Sequence, residues 1–103
     1  MSINGYGQSV ENVRYDNGRT RVVITYDIVS NDDSAEYAVK VYPSFDGGTT
    51  YGACLKAVKG DTWKVKPGNG RTVTWNFNDE FLGRTGEVTL QLRAYRMIRI
   101  KYE

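Results

Sequence analysis

Ser44-Phe45-Asp46-Gly47-Gly48-Thr49-Thr50-Tyr51 brings a strand end, a Gly-Gly reversal and an aromatic restart together in one short stretch. Immediately upstream, Tyr37, Val39 and Val41 alternate with Ala38, Lys40 and Tyr42, the period-two pattern of a half-buried strand, and Pro43 closes it. Successive glycines supply backbone angles that other residues avoid, so the chain reverses here. A second strand is expected over Tyr51 to Val58, with Cys54 near its middle.

The same grammar extends in both directions. Upstream, Val10, Val13 and Tyr15 read as a short strand, and Asn17-Gly18 predicts a tight hairpin turn with positive φ angles. Thr20 to Ile28 follows, with Val22, Ile24, Tyr26 and Ile28 on one face. Downstream, Lys59-Gly60-Asp61 reads as a turn and Thr62 to Lys66 as weakly strand-like. Pro67-Gly68-Asn69-Gly70 turns the chain again, and Val73, Trp75 and Phe77 follow at alternating core positions. Asn78 to Gly86 is a polar loop in which Phe81 and Leu82 are placed to seal the core. From Glu87 to Glu103, Val88, Leu90, Leu92, Ala94, Ile98, Ile100 and Tyr102 share one parity that Arg96 interrupts. Either one long strand or two with a bulge fits that tail.

About seven short strands bounded by turns, with no helical periodicity, predict an all-β fold. The architecture expected is an antiparallel immunoglobulin-like β-sandwich, with a small barrel as the alternative. With 103 residues, the chain has room for one domain able to fold without metal or disulfide support. Residues 1–8 are read as a flexible lead-in without alternation, and 9–103 as the domain.

Composition removes several kinds of chemistry. The chain has no histidine, which excludes a Ser-His-Asp triad, a Cys-His dyad and His-containing zinc sites. Cys54 is the single cysteine, so no intrachain disulfide forms. Fourteen Lys and Arg against twelve Asp and Glu give a net charge of +2, too little to steer the domain to nucleic acid. No apolar run approaches the roughly 18 residues that a membrane span requires, so no membrane insertion is expected. The first residues also lack the pattern of a signal peptide. No catalytic residue, cofactor or metal is expected; Asp32, Asp33 and Glu36 read as a solvated acidic loop, and adjacent Asp79-Glu80 have no separation suited to glycoside cleavage.

Ser44 to Tyr51 fits Ser-x-Asp-x-Gly-x-Thr-aromatic and so resembles the Asp-box of sialidase propellers and other β-proteins. The resemblance implies a structural turn: Asp46 ties the hairpin with Ser44 and Thr50, Gly48 takes a conformation closed to other residues, and the Tyr51 ring packs beneath. More broadly, five groups occur in order: Asn12-Val13-Arg14; Val23 to Ile28; Val39-Lys40-Val41 before the box; Lys59-Gly60-Asp61; and Val65 to Gly70 before Val73-Thr74-Trp75-Asn76. Together they resemble small immunoglobulin-like or fibronectin type III-like accessory domains of exported bacterial proteins, sometimes found beside formylglycine-generating-type sulfatase-modifying domains. That likeness runs from about Val10 to Ala94 and implies a non-catalytic module that spaces, orients or binds, in a secreted, periplasmic or cell-surface setting.

Two binding surfaces are expected. Tyr42, Tyr51, Trp63 and Tyr95 are candidate ligand-binding residues, since flat rings stack on sugars and anchor protein contacts. The partner is then a protein or a glycan at the cell surface. Arg93, Arg96, Arg99 and Lys101 along the last strand are read as edge protection rather than phosphate binding, and residues 95–103 as a segment able to pair with a partner's strand.

Overall fold

The alternation from Val22 to Ile28 is realised at the centre of the molecule. The computed structural model describes residues 2–6, 9–80, 86–98 and 100, with residues 2–6 described by their backbone pairing alone. Its strands are β1 (Ser2–Tyr6), β2 (Val10–Asn17), β3 (Val22–Ile28), β4 (Tyr37–Ser44), β5 (Val58–Gly60), β6 (Gly68–Trp75) and β7 (Thr89–Arg96); one short helix, α1 (Phe77–Glu80), follows β6. Among the described residues the strands form a four-stranded sheet ordered β2-β3-β6-β5 and a three-stranded sheet ordered β1-β7-β4. All pairings are antiparallel except that of β1 with β7. The class is all-β and the arrangement sandwich-like.

Period two decides which side chains enter the space between the sheets. From the four-stranded sheet come Val22, Ile24, Tyr26 and Ile28 of β3 and Val73 and Trp75 of β6; from the other come Val39 and Val41 of β4 and Leu90 and Leu92 of β7. Val22 is paired with Trp75, Ile24 with Val73 and Val41 with Leu92, so large side chains meet in cross-strand pairs. The buried Tyr26 hydroxyl donates to the Asp61 carbonyl at 2.5 Å. That bond supplies the partner a phenol needs in an apolar interior.

Several local expectations are corrected. Asn17 pairs with Val22, and neither Asn17 nor Gly18 has a positive φ. The reversal is instead the wider Gly18–Arg21 loop, closed by Gly18 N–H donating to Arg21 O at 2.8 Å. Tyr51 to Ala57 is not a strand; it runs irregularly beside β4, and the strand begins at Val58. Lys59-Gly60 accordingly belongs to β5 rather than to a turn, and Gly68-Asn69-Gly70 already lies in β6. Phe77 opens α1 and packs on the rim of the core, its ring 5.8 Å from that of Trp75.

The ends of the chain differ most from expectation. Ser2–Tyr6, read as part of a lead-in, pairs with Thr89 to Arg93 in parallel register. Backbone pairing alone places it there, which side-chain alternation does not report. As a result β7 is the central strand of its sheet rather than an edge strand. It ends at Arg96, and Ile98 and Ile100 are strongly exposed instead of continuing the buried face. Residue 99 and residues 101–103, the rest of the segment expected to pair with a partner, lie outside the described residues, as do Phe81 and Leu82.

Candidate binding face

Strand alternation that buries Val39, Val41, Leu90 and Leu92 turns Lys40, Tyr42, Gln91, Arg93 and Tyr95 to the opposite face of the β4–β7 pair. Lys40 is registered with Arg93, Tyr42 with Gln91, and Ala38 with Tyr95. On this outer face the Arg93 guanidinium carbon lies 4.2 Å from the centroid of the Tyr42 ring and 5.8 Å from that of Tyr51. Arg93 Nε donates to Gln91 Oε1 at 2.9 Å, which fixes the fork. The hydroxyls of Tyr42 and Tyr95 are 3.0 Å apart. Three of the four expected ligand-binding aromatics are therefore gathered around one arginine.

The phenols are electrostatically unequal. Burial and the hydrogen bond with Tyr95 push the Tyr42 hydroxyl up to about 12. Tyr95 moves the other way, below the ordinary tyrosine value, because Tyr42 donates to its phenolate and Arg93 stabilises the negative charge.

The fourth aromatic, Trp63, stands apart. It follows Thr62, whose carbonyl accepts the Val39 N–H on the side of β4 away from β7. The indole is 65% exposed. It borders one depression with Ala38 and Lys40 of β4 and another with Asp61, Lys64 and Arg71.

The stretch between β4 and Tyr51 holds one corner of this face rigid. Asp46 Oδ1 accepts the Thr49 N–H at 3.0 Å, the Thr50 N–H at 2.9 Å and the Ser44 hydroxyl at 2.7 Å, while Oδ2 accepts the Thr50 hydroxyl at 2.5 Å. Ser44, itself buried, accepts the Gly48 N–H at 2.9 Å. These donors hold the Asp46 carboxyl well below the usual carboxylate range, the Thr50 hydroxyl and amide foremost. Gly47 and Gly48 have φ of 74° and 96°, which explains glycine at both positions. The Tyr51 hydroxyl comes to 3.4 Å from where a side chain on Gly48 would begin, so the ring folds back against the turn.

Arg96, the last residue of β7, has a separate partner. Arg96 Nη2 reaches Asp32 Oδ2 at 2.7 Å, and Asp32 Oδ1 also accepts the Ser34 amide and hydroxyl. That network occupies the acidic loop at its own turn. Among the described residues no three His, Cys, Asp or Glu side chains are grouped to hold a metal ion, and no helix is long and apolar enough to cross a membrane.

Two contributors to this face are not aromatic. Arg93 was legible only as one of four basic residues, although its parity with Gln91 and Tyr95 assigns it to their face. Lys40 has the same relation to Tyr42. No protein-family model, curated protein or solved structure matches this chain.

Proposed function

We propose that the chain is a non-catalytic interaction module with an immunoglobulin-like sandwich, binding a protein partner through the outer face of β4 and β7. Arg93 set against Tyr42 and Tyr51, beside the Tyr42–Tyr95 hydroxyl pair, is the observation that carries this reading. Tyr and Arg are among the residues that dominate the energetics of protein interfaces, and Tyr42, Arg93 and Tyr95 are mounted here on paired strands. The accessory role in an exported bacterial protein follows from the sequence resemblance, and so does the secreted, periplasmic or cell-surface setting.

A carbohydrate-binding module is the second reading, favoured by the exposure of Trp63. Stacking on a sugar needs a free ring face, and Arg93 takes one face of Tyr42. The Tyr42 and Tyr95 hydroxyls are also engaged with each other. Both features favour the protein partner.

Peptide display and a glycan array, run on the same folded protein, separate the two. The protein reading expects selected peptides whose affinity falls about 30-fold or more when Tyr95→Ala and Arg93→Ala are combined, the scale of an interface hot spot. Glycan binding that disappears on Trp63→Ala, with no peptide selected, replaces it by the carbohydrate reading.

A further inference from the structure

The edge of β4 that faces away from β7 is covered at both ends and bare in the middle. At one end Tyr37 exchanges two backbone hydrogen bonds with Val65, and the Val39 N–H donates to Thr62 O at 2.9 Å. At the other, Leu55 N–H donates to Val41 O at 2.8 Å and Gly52 N–H to Pro43 O at 2.9 Å. Between Leu55 and Thr62 the chain leaves β4 and runs as β5 against β6. Alternation turns the remaining polar groups of Val39 and Val41 toward this gap. Among the described residues neither the Val39 carbonyl nor the Val41 N–H has a backbone partner there.

A groove of about 240 Å³ opens at the gap, bordered by Ala38, Lys40, Cys54, Lys56, Val58 and Trp63. Its lining is largely apolar, its charged members are lysines, and it includes no carboxylate. Lys64 adds a third positive charge directly after Trp63. None of these lysines forms an ion pair among the described residues.

We infer that this groove binds an extended acidic peptide segment of the protein partner. One apolar side chain of the segment lies against Trp63, its backbone pairs with Val39 O and Val41 N–H, and flanking carboxylates meet Lys40 and Lys56. Each part of the site selects a different feature of the ligand: the bare strand edge selects an extended backbone, the apolar lining a hydrophobic side chain, and the lysines acidic neighbours. This rests on the interaction-module reading and adds the chemistry of its partner. Lys40, between the groove and Arg93, joins the two surfaces.

The test is an array of short peptides with a central Leu, Ile, Phe or Tyr flanked on both sides by Glu, beside the same set flanked by Lys. Acidic members are expected to bind, to shift the indole N–H resonance of Trp63 but not that of buried Trp75, and to slow exchange of the Val41 amide. Lys40→Gln and Lys56→Gln, at exposed positions that leave the core intact, are each expected to weaken binding about two- to fivefold. Silence of every acidic peptide, equal binding of the Lys set, or binding that leaves Trp63 unmoved overturns the inference. If the acidic set is silent while displayed peptides bind through Tyr95 and Arg93, the groove assignment falls and the interaction module stands. If neither kind of peptide binds, both fall.

Discussion

Glu80 Oε1 accepts the indole N–H of Trp75 at 2.9 Å, tying a four-residue helix outside both sheets to the largest of the fully buried side chains. The same oxygen accepts the Lys56 N–H at 3.0 Å and the Ala57 N–H at 2.6 Å. One carboxylate therefore holds together the end of β6, α1 and the segment that enters β5.

Removing that acceptor withdraws the charged partner from three donors at once, and a hydrogen bond to a charged group contributes about 1.5–3 kcal/mol. Glu80→Ala is expected to lower unfolding free energy by about 2–3 kcal/mol, measured by urea denaturation. Glu80→Gln keeps a carbonyl acceptor and is expected to lose less. The Trp75 indole N–H resonance is expected to move in Glu80→Ala as the carboxylate acceptor is withdrawn.

Gly60 occupies a position with φ of 115°, and a Cβ there would lie 2.6 Å from the backbone oxygen of Thr72. Conformational strain alone costs about 1–3 kcal/mol, and the collision falls on rigid strand backbone. Gly60→Ala is expected to destabilise by at least about 2 kcal/mol and to perturb the β5–β6 amides in NMR spectra. Gly47→Ala, which meets no atom within 4 Å, carries only the strain of its positive φ and is expected to lose less.

Asp46 provides a signature in acid. Its folded carboxyl titrates below the unfolded value of about 3.9, so its contribution to stability is complete above that pH and is lost as pH falls through the folded pKa. Asp46→Asn is expected to melt below the unaltered protein at neutral pH. The two melting temperatures draw together as pH falls below about 3.9 toward the folded pKa.

Tyr95 and Tyr42 are expected to lose their protons in that order as pH rises. Ultraviolet difference spectra should show Tyr95 titrating below the ordinary tyrosine value, as does Tyr37 through its hydrogen bonds with Ser30 and Ser9, and Tyr42 titrating near 12. Tyr42→Phe removes the donor to the Tyr95 phenolate, so Tyr95 moves back up. An unchanged Tyr95 titration in that variant contradicts the hydroxyl pair.

The elements legible in sequence are those whose pattern is local. Val22, Ile24, Tyr26 and Ile28 alternate because one sheet face is buried, and that periodicity is written directly in the chain. Asp46 bonds donors within four residues of itself, so its cluster is equally readable. Ser2–Tyr6 is the opposite case, since its pairing with Thr89 to Arg93 spans nearly the whole chain and uses backbone groups common to all residues. The stretch from Tyr51 to Ala57 has strand-like composition, but among the described residues its backbone bonds to β4 are those of Gly52 and Leu55, so no ladder forms.

The binding face was half visible for the same reason. Tyr42 and Tyr95 stand out as aromatics on separate strands, while their meeting depends on the register that pairs Ala38 with Tyr95 and Tyr42 with Gln91. Trp63 was grouped with them by residue type. Its actual neighbours are set by where the chain returns to the edge of β4 at Thr62.

Chemical-shift mapping of the folded protein with peptides selected by display tests the central claim most directly. The predicted result is perturbation confined to Lys40, Tyr42, Arg93, Tyr95 and the adjoining Trp63 groove, abolished by Tyr95→Ala with Arg93→Ala while the Trp75 resonance stays in place. Perturbations centred on the exposed face of β2 and β3, or full binding by the double variant, would contradict it.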